Sequence, residues 1–377
     1  MIYFDYASTA PVNPKVLELY TQYLHDYFAN SESHHPLGTE VSKLLEGSRR
    51  KTAALLRVEP SDIVFTSGAC EANSLAIKGY AFSHMNRGKH LITTSIEHSS
   101  VLNSMKQLED VFGFEVTYLG VDSEGKIRPE ELRAAIRPDT ILVSVMMVNN
   151  ETGSVQPMEE IKQILKEHPT VKLHMDGVQA LGKMKINLNG IDMASFAAHK
   201  IHGLKGCGVL YRKKNIELMP LISGGDQEFG IRGGTENACN YAVFGDTLEY
   251  ALKDMEEYEG HVKECNRYLR EHLSAIDGVL INSPEDAIPY ILNISCMKLP
   301  SEVHMNALGS EGFCISSHST CHTKKNVLSY VAQEMGITGK RQLGILRISL
   351  GNDTTLEECE KLCDAIKENI RKYGIRK

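Results

Sequence analysis

At 377 residues, with 42% hydrophobic and 24% charged content and a formal net charge of −7, the chain is long enough for two to three packed units around a large core. Its mild acidity argues against nucleic acid or a bilayer surface as an obligatory partner. No run approaches the roughly 20 apolar residues of a membrane span, the opening MIYFDYASTAP lacks a basic, apolar leader, and nine cysteines without framework spacing suit a reduced compartment. The cytoplasm is therefore the expected location.

In chain order, a short strand at Tyr3 to Tyr6 and a polar turn lead to a helix that Asn13 caps and Pro14 begins. Val16, Tyr20, Leu24 and Phe28 are expected along its one apolar face. A polar loop, NSESHHPLG, precedes a second helix carrying Val41, Leu44, Leu45 and Leu55. In DIVFTSGACEANSLAIKGY, Ile63 to Phe65 read as a strand, Ser67 and Gly68 as a tight turn, and Ala69 onwards as a helix. The first backbone N–H groups of such a helix lack partners and suit a phosphate, although many strand-to-helix turns hold Ser-Gly without binding one. Strands HLITT before His98 and ILVSVMMV before Asn149 and Asn150 continue an alternation with helices, which implies right-handed crossovers and a mostly parallel sheet.

Two further apolar runs, VKLHMD ending at Asp176 and DMASFAAHK ending at His199 and Lys200, deliver polar residues at their carboxyl ends, where open α/β sheets place their chemistry. An ammonium at the end of a buried strand is costly to desolvate, whereas a neutral amine held as a Schiff base is not. An acid such as Asp176 aimed at a pyridinium nitrogen, together with such a lysine, is the pairing expected of pyridoxal phosphate enzymes. Spacing alone leaves open the plainer alternative of two strands with solvated ends. Gly206 to Tyr211 reads as a returning, antiparallel strand, and a charged helical region follows from about Ala238 to Ile276. From about Pro289 shorter strands (YILNISC, FCISS, LRISLG) alternate with helices, and Thr354 with Glu357 is read as the capping box of the last helix.

The motifs FDYASTAPVNP, NSESHHPLG, VFTSGACEANSLAIKG, EHSSVL, VNNETGSVQP, HMDGVQALGK, AAHKIHGLKGCGVLY, IRGGTEN, ISSHSTC and RISLG resemble, in order and over nearly the whole length, those of the NifS-like cysteine desulfurases, within the class V aminotransferase group. The resemblance implies a fold-type I architecture: an α/β large domain with a mostly parallel seven-stranded sheet between helices (15–255), and a smaller α+β domain (1–14 and 256–377). It implies that Lys200 holds pyridoxal phosphate and then moves the Cα proton. Asp176 would meet the pyridine nitrogen, Gln179 the phenolic oxygen, and His98 would stack on the ring and serve in proton transfer. Asn150 and Arg347 would hold the substrate, Arg347 by a bidentate bond to its carboxylate. The phosphate would sit at Ala69 and Cys70, with His199 and, from the other subunit of a homodimer, Thr235.

Cys321, in the polar loop SSHSTCHTKKN, would take the sulfur of L-cysteine as a persulfide and release alanine. Its separation from Arg347 resembles the subgroup with the longer cysteine loop, which hands sulfur to iron–sulfur scaffold or tRNA-thiolating proteins. The other cysteines read as structural, and no metal is expected. Three positions depart from the usual pattern: Cys70 replaces Thr, Ala197 replaces Ser, and His318 with Ser319 and Thr320 replaces Gly-Ser-Ala before Cys321. His318 and His322 would lower the thiol pKa, ligate zinc with Cys321, or face solvent. Selenocysteine lyase, another lyase or aminotransferase reaction on the same fold, and an inactive scaffold homologue are the alternative functions.

Overall fold

Strands whose residues all run apolar are stable only between two covered faces, and the central sheet is built that way. The computed structural model describes residues 1–317 and 328–374. Its twelve strands are β1 Ile2–Tyr3, β2 Ile63–Thr66, β3 His90–Thr94, β4 Glu115–Leu119, β5 Thr140–Met146, β6 Lys172–Asp176, β7 Met193–Ala197, β8 Gly208–Arg212, β9 Val279–Ile281, β10 Ile291–Cys296, β11 Phe313–Cys314 and β12 Ile345–Ser349. Seven form one sheet in the order β2-β8-β7-β6-β5-β3-β4. Only β8 runs against its neighbours, as the returning-strand reading expects. Side chains alternate between the faces along each strand: Ile63, Phe65, Ile92, Val143 and Val145 enter one apolar cluster, and Val64, Leu91 and Leu142 enter another.

A second sheet, β12-β10-β9, is antiparallel, and β1 pairs in parallel with β11. Asp5 bridges to Ser349. These pairings are why we propose that residues 1–14 belong with 256–377 as the smaller unit. The helix Ala238–Ser274 has 37 residues, about 55 Å at 1.5 Å per residue, and packs against both the helix Pro36–Leu56 and the terminal helix Leu356–Tyr373.

Two local expectations are corrected. The first helix, Pro14–Asp26, is capped by Asn13 as expected, but of its apolar stripe only Val16 is buried. Leu24 is 50% exposed and Phe28, beyond the helix end, 75%. The helix lies at the surface of the single chain, and among the described residues nothing buries the rest of its stripe, Tyr20 being partly covered. The terminal capping box is one residue later than read: Thr355 accepts from Glu358 N, and Glu358 accepts from Thr355 N. Thr354 is buried and its Oγ1 accepts from Gly351 N instead.

Glycine is required where β2 ends. Gly68 has φ 150° and ψ 176°, a region open to essentially no other residue. A Cβ on the facing Gly208 would stand 2.6 Å from Gly68 Cα. The close pairing of β2 with β8 thus sets the start of the helical run over 69–84.

Candidate active site

The carboxyl ends of the parallel strands meet the segment Ala7 to Thr9 around a cavity of about 600 Å³. β6 ends in Asp176, whose Oδ2 accepts from Asn73 Nδ2 at 2.8 Å and Oδ1 from Val178 N at 3.1 Å. One turn on, Gln179 Nε2 donates to Ala7 O at 3.0 Å and its Oε1 accepts from Lys183 Nζ at 2.8 Å. β7 runs into the short turn Ala198–Lys200, and Lys200 Nζ donates to Ala7 O and Ser8 O at 2.5 and 2.7 Å. Beyond β3, His98 caps the helix Ser99–Phe112 through Nδ1. Arg347, on β12, is 2% exposed. It donates to Asp5 Oδ1 at 2.9 Å, Ser8 Oγ at 2.6 Å and Asn150 O at 3.0 Å.

Burial sets the charge states around this wall. Desolvation, with Lys200, Lys205 and Lys183 nearby, lowers His199 to about 4, so its imidazole is neutral near pH 7. Desolvation, then Lys200 and Arg347, lowers Lys183 to about 7. Glu97, next to His98 in sequence, is raised to about 8 by burial, against hydrogen bonds from Met146 N and Thr94 Oγ1.

Ala69, Cys70, His98, Asn150, Asp176, Gln179, His199, Lys200 and Arg347 all line the one cavity. Thr235 is exposed and outside it. Cys321, with His318 and His322, lies outside the described residues. The chain on either side of that segment is anchored at the site. Ser316 bridges to Arg347, and the Tyr330 hydroxyl donates to Glu97 O. Among the described residues no three His, Cys, Asp or Glu side chains form a group able to hold a metal ion.

Sequence reasoning passes over Asp5, the carbonyls of Ala7 and Ser8, Asn73, Glu97, Ser100 and Lys183. Asn73 sits in the same turn motif as Ala69 and Cys70, and Ser100 follows His98 by two, so position alone could have raised both. Asp5 reaches the site only through the pairing of the N-terminal segment with β12, which no local pattern reveals. Arg347 is also more committed than a free carboxylate clamp, since Asp5 already offsets part of its charge.

A family model for aminotransferase class-V matches residues 2–362. The chain belongs to the class-V aminotransferase family. Its relatives in this family include a NifS/IcsS protein homolog of Lactobacillus delbrueckii subsp. bulgaricus, 40% identical across 99% of this chain and 98% of that protein. Cysteine desulfurase IscS of Dictyoglomus turgidum is 36% identical across 98% and 95%. Among solved structures, a NifS-like protein superposes with a TM-score of 0.92 at 35% identity, covering 98% of this chain and 99% of its own. A structure described as SspA in complex with cysteine does so with 0.82 at 35% identity, over 93% and 99%. The chain is thus a class-V aminotransferase of the NifS-like branch, and the mixed seven-stranded sheet is that of a fold-type I enzyme.

The cavity fits the pyridoxal phosphate that this family implies. Asn73 Oδ1, Asn150 Oδ1 and Arg347 Nε are buried on its wall with no hydrogen-bond partner among the described residues, and such atoms cost free energy until a polar ligand meets them. The Glu71 carboxylate at the helix start is already taken up by Ser67 and by Arg232 Nε at 3.0 Å. A larger open groove, about 1000 Å³, runs along the long helix beside Lys185 and Arg270. None of the buried unpartnered atoms lies on its wall.

Proposed function

We propose that the chain is a pyridoxal-phosphate-dependent cysteine desulfurase that converts L-cysteine to L-alanine and carries the sulfur as a persulfide on Cys321. The observation that carries this reading is the convergence of Lys200, Asp176 and Arg347 on one cavity with unpartnered buried polar atoms, in a chain of the NifS-like branch. The relative described as bound to cysteine supports the substrate class.

When bound, pyridoxal phosphate supplies the electron sink for charge left at the substrate Cα. Lys200 would hold the cofactor, Asp176 would face its ring nitrogen and Gln179 its phenolic oxygen. The backbone at Ala69 and Cys70 would take the phosphate, and the neutral His199 is suited to donate to it. Freed from the cofactor, the Lys200 amine is the base for the Cα proton, and the Ala7 and Ser8 carbonyls hold it in place. Arg347 and Asn150 would orient the substrate, Arg347 through its unpartnered Nε. The Cys321 thiolate attacks the substrate sulfur: an S–S bond forms, the Cβ–S bond breaks, and Cβ gains a proton. The exchange of L-cysteine and a thiol for L-alanine and a persulfide balances without an outside oxidant.

Ser317, four residues before Cys321, directly follows Arg347's partner Ser316, and four residues reach at most about 14 Å. That short tether supports delivery of the thiol to the substrate held by Arg347. The exposed Thr235 and the exposed Leu24, Phe28 and Phe229 suit a homodimer with isologous contacts. In it Thr235 would reach the partner's phosphate site. By family resemblance the sulfur passes to an iron–sulfur scaffold or tRNA-thiolating protein in the cytoplasm. The deciding experiment incubates the purified protein with L-cysteine and quantifies alanine, persulfide plus sulfide, and pyruvate. Equal alanine and sulfur support desulfurisation, and pyruvate with ammonia would show elimination instead. Borohydride should leave a lysine adduct that Lys200→Ala abolishes; an adduct mapping elsewhere would overturn the assignment of Lys200.

A further inference from the structure

His98 and Asp176 stand at the ends of different strands, yet two side chains outside the proposed catalytic set join them. Asn73 is fully buried, and its Nδ2 donates to Asp176 Oδ2 at 2.8 Å and to Ser100 Oγ at 2.9 Å. Both amide hydrogens are therefore spent. The opposite placement of the amide would set Oδ1 against the Asp176 carboxylate, oxygen facing oxygen, so the orientation is not interchangeable. Ser100 Oγ, an acceptor toward Asn73, lies 2.8 Å from His98 Nδ1. The Ser100 backbone N–H points at the same nitrogen from 3.2 Å. An N–H aimed at Nδ1 requires a lone pair there, so the Ser100 hydroxyl must donate and the neutral ring must carry its proton on Nε2. Nε2 has no hydrogen-bond partner among the described residues, and His98 lines the cavity.

We infer that Asn73 and Ser100 are positioning residues: as one polar strut they tie Asp176 to His98 and hold His98 as the Nε2–H tautomer, with that N–H left for the substrate in the cavity. The direction of every bond in the strut follows from the others. Asp176 accepts, Asn73 donates both ways, and Ser100 accepts from Asn73 and donates to Nδ1. A change at Asn73 therefore reaches the imidazole without touching it. The chemical use of the N–H rests on the desulfurase reading, with His98 in the proton-transfer role that the family resemblance implies, while the tautomer itself does not.

The test uses the full-length holoenzyme with ¹⁵N-labelled histidine and long-range ¹H–¹⁵N correlation spectra, His98 being assigned by its loss in His98→Gln. In wild type the neutral ring should be a single tautomer, protonated at Nε2. Ser100→Ala and Asn73→Ala should each give a mixture of tautomers, and Ser100→Thr, which keeps the hydroxyl, should restore the wild-type pattern. With L-cysteine, Ser100→Ala should lower kcat about tenfold, part of what a misplaced proton donor costs, with KM changed by less than about twofold. Unchanged His98 spectra in both Ser100→Ala and Asn73→Ala would overturn the inference. Should Asn73→Ala fail to fold, Ser100→Ala decides alone, an unchanged spectrum refuting the strut and a mixture with rescue by threonine supporting it. A wild-type protein that forms no borohydride adduct and no alanine would instead sink the functional reading, and the spectra would still decide the strut.

Discussion

Glu97 is fully buried, and Oε1 accepts from both Thr94 Oγ1 at 2.8 Å and Met146 N at 2.7 Å, while Oε2 has no partner among the described residues. Burial lifts it from 4.5 to about 8, so near neutral pH the carboxyl is mostly protonated and the neighbouring Asp176 is spared a second negative charge. The folded state then holds a proton that the unfolded chain releases above its ordinary value. The stability this contributes is fully present below about pH 4.5 and is lost as the pH rises through about 8. Glu97→Gln keeps a carbonyl for both donors and removes the titration. Its unfolding free energy, measured by urea denaturation from pH 5 to 9, should lack the decline that wild type shows across that window. A decline of equal size in the variant would assign it to another group.

Among the elements, the terminal helix Leu356–Tyr373 tests the corrected cap. Thr355→Ala removes the acceptor for Glu358 N and should cost about 1 kcal/mol, whereas Thr354→Ala should act through the Gly351 turn and leave the helix end intact. Hydrogen exchange at the first-turn amides distinguishes the two. At the end of β2 the demand is steric. Gly208→Ala would drive a methyl to 2.6 Å from Gly68 Cα, an overpacking cost of about 1–3 kcal/mol. It should also lower cofactor affinity by shifting the helix start, and equilibrium dialysis with unfolding curves would report both effects. β4, Glu115–Leu119, escapes the strand reading because it is the sheet's edge, and its first four residues are at least partly exposed. Its EVTYL therefore lacks the buried apolar run of the central strands.

Across the whole molecule, the other sheet edge is closed by a buried ion pair. Among the described residues β2 has only β8 as a neighbour, and its free side is met by Glu228 Oε2, which accepts from Phe65 N at 2.7 Å, and by Arg49 Nη1, which donates to Ile63 O at 2.7 Å. Arg49 and Glu228 are joined at 2.8 Å with side chains 3% and 0% exposed. The pair thus ties the helix Pro36–Leu56, the sheet edge and the loop leading to Thr235. Glu228→Ala would leave the Phe65 edge N–H without its acceptor and the guanidinium with only Glu46 and Ile63 O, and should cost about 3 kcal/mol. If Thr235 completes a partner's site, the variant should also weaken dimerisation and cofactor retention, which light scattering and absorbance would follow. A variant that stays dimeric with full cofactor would separate this loop from the site.

The sequence alone determined the order of the parallel strands' polar ends. His98, Asn150, Asp176 and Lys200 each follow an apolar run, and a parallel α/β sheet must bring such ends to one edge. Gly68 and Pro14 were legible for the same local reason, since each meets a backbone demand set by its immediate neighbours. What only the tertiary structure decided is who holds those residues. Asp5, Ala7 and Ser8 come from the first turn of the chain, Arg347 from β12, and Asn73 and Ser100 from two helix starts. Their meeting depends on how layers pack rather than on any period of 2 or 3.6 residues. The same holds for the first helix, whose apolar stripe is plain in sequence and yet is buried at Val16 alone, because a stripe states only that a face is apolar and packing decides what, if anything, covers it.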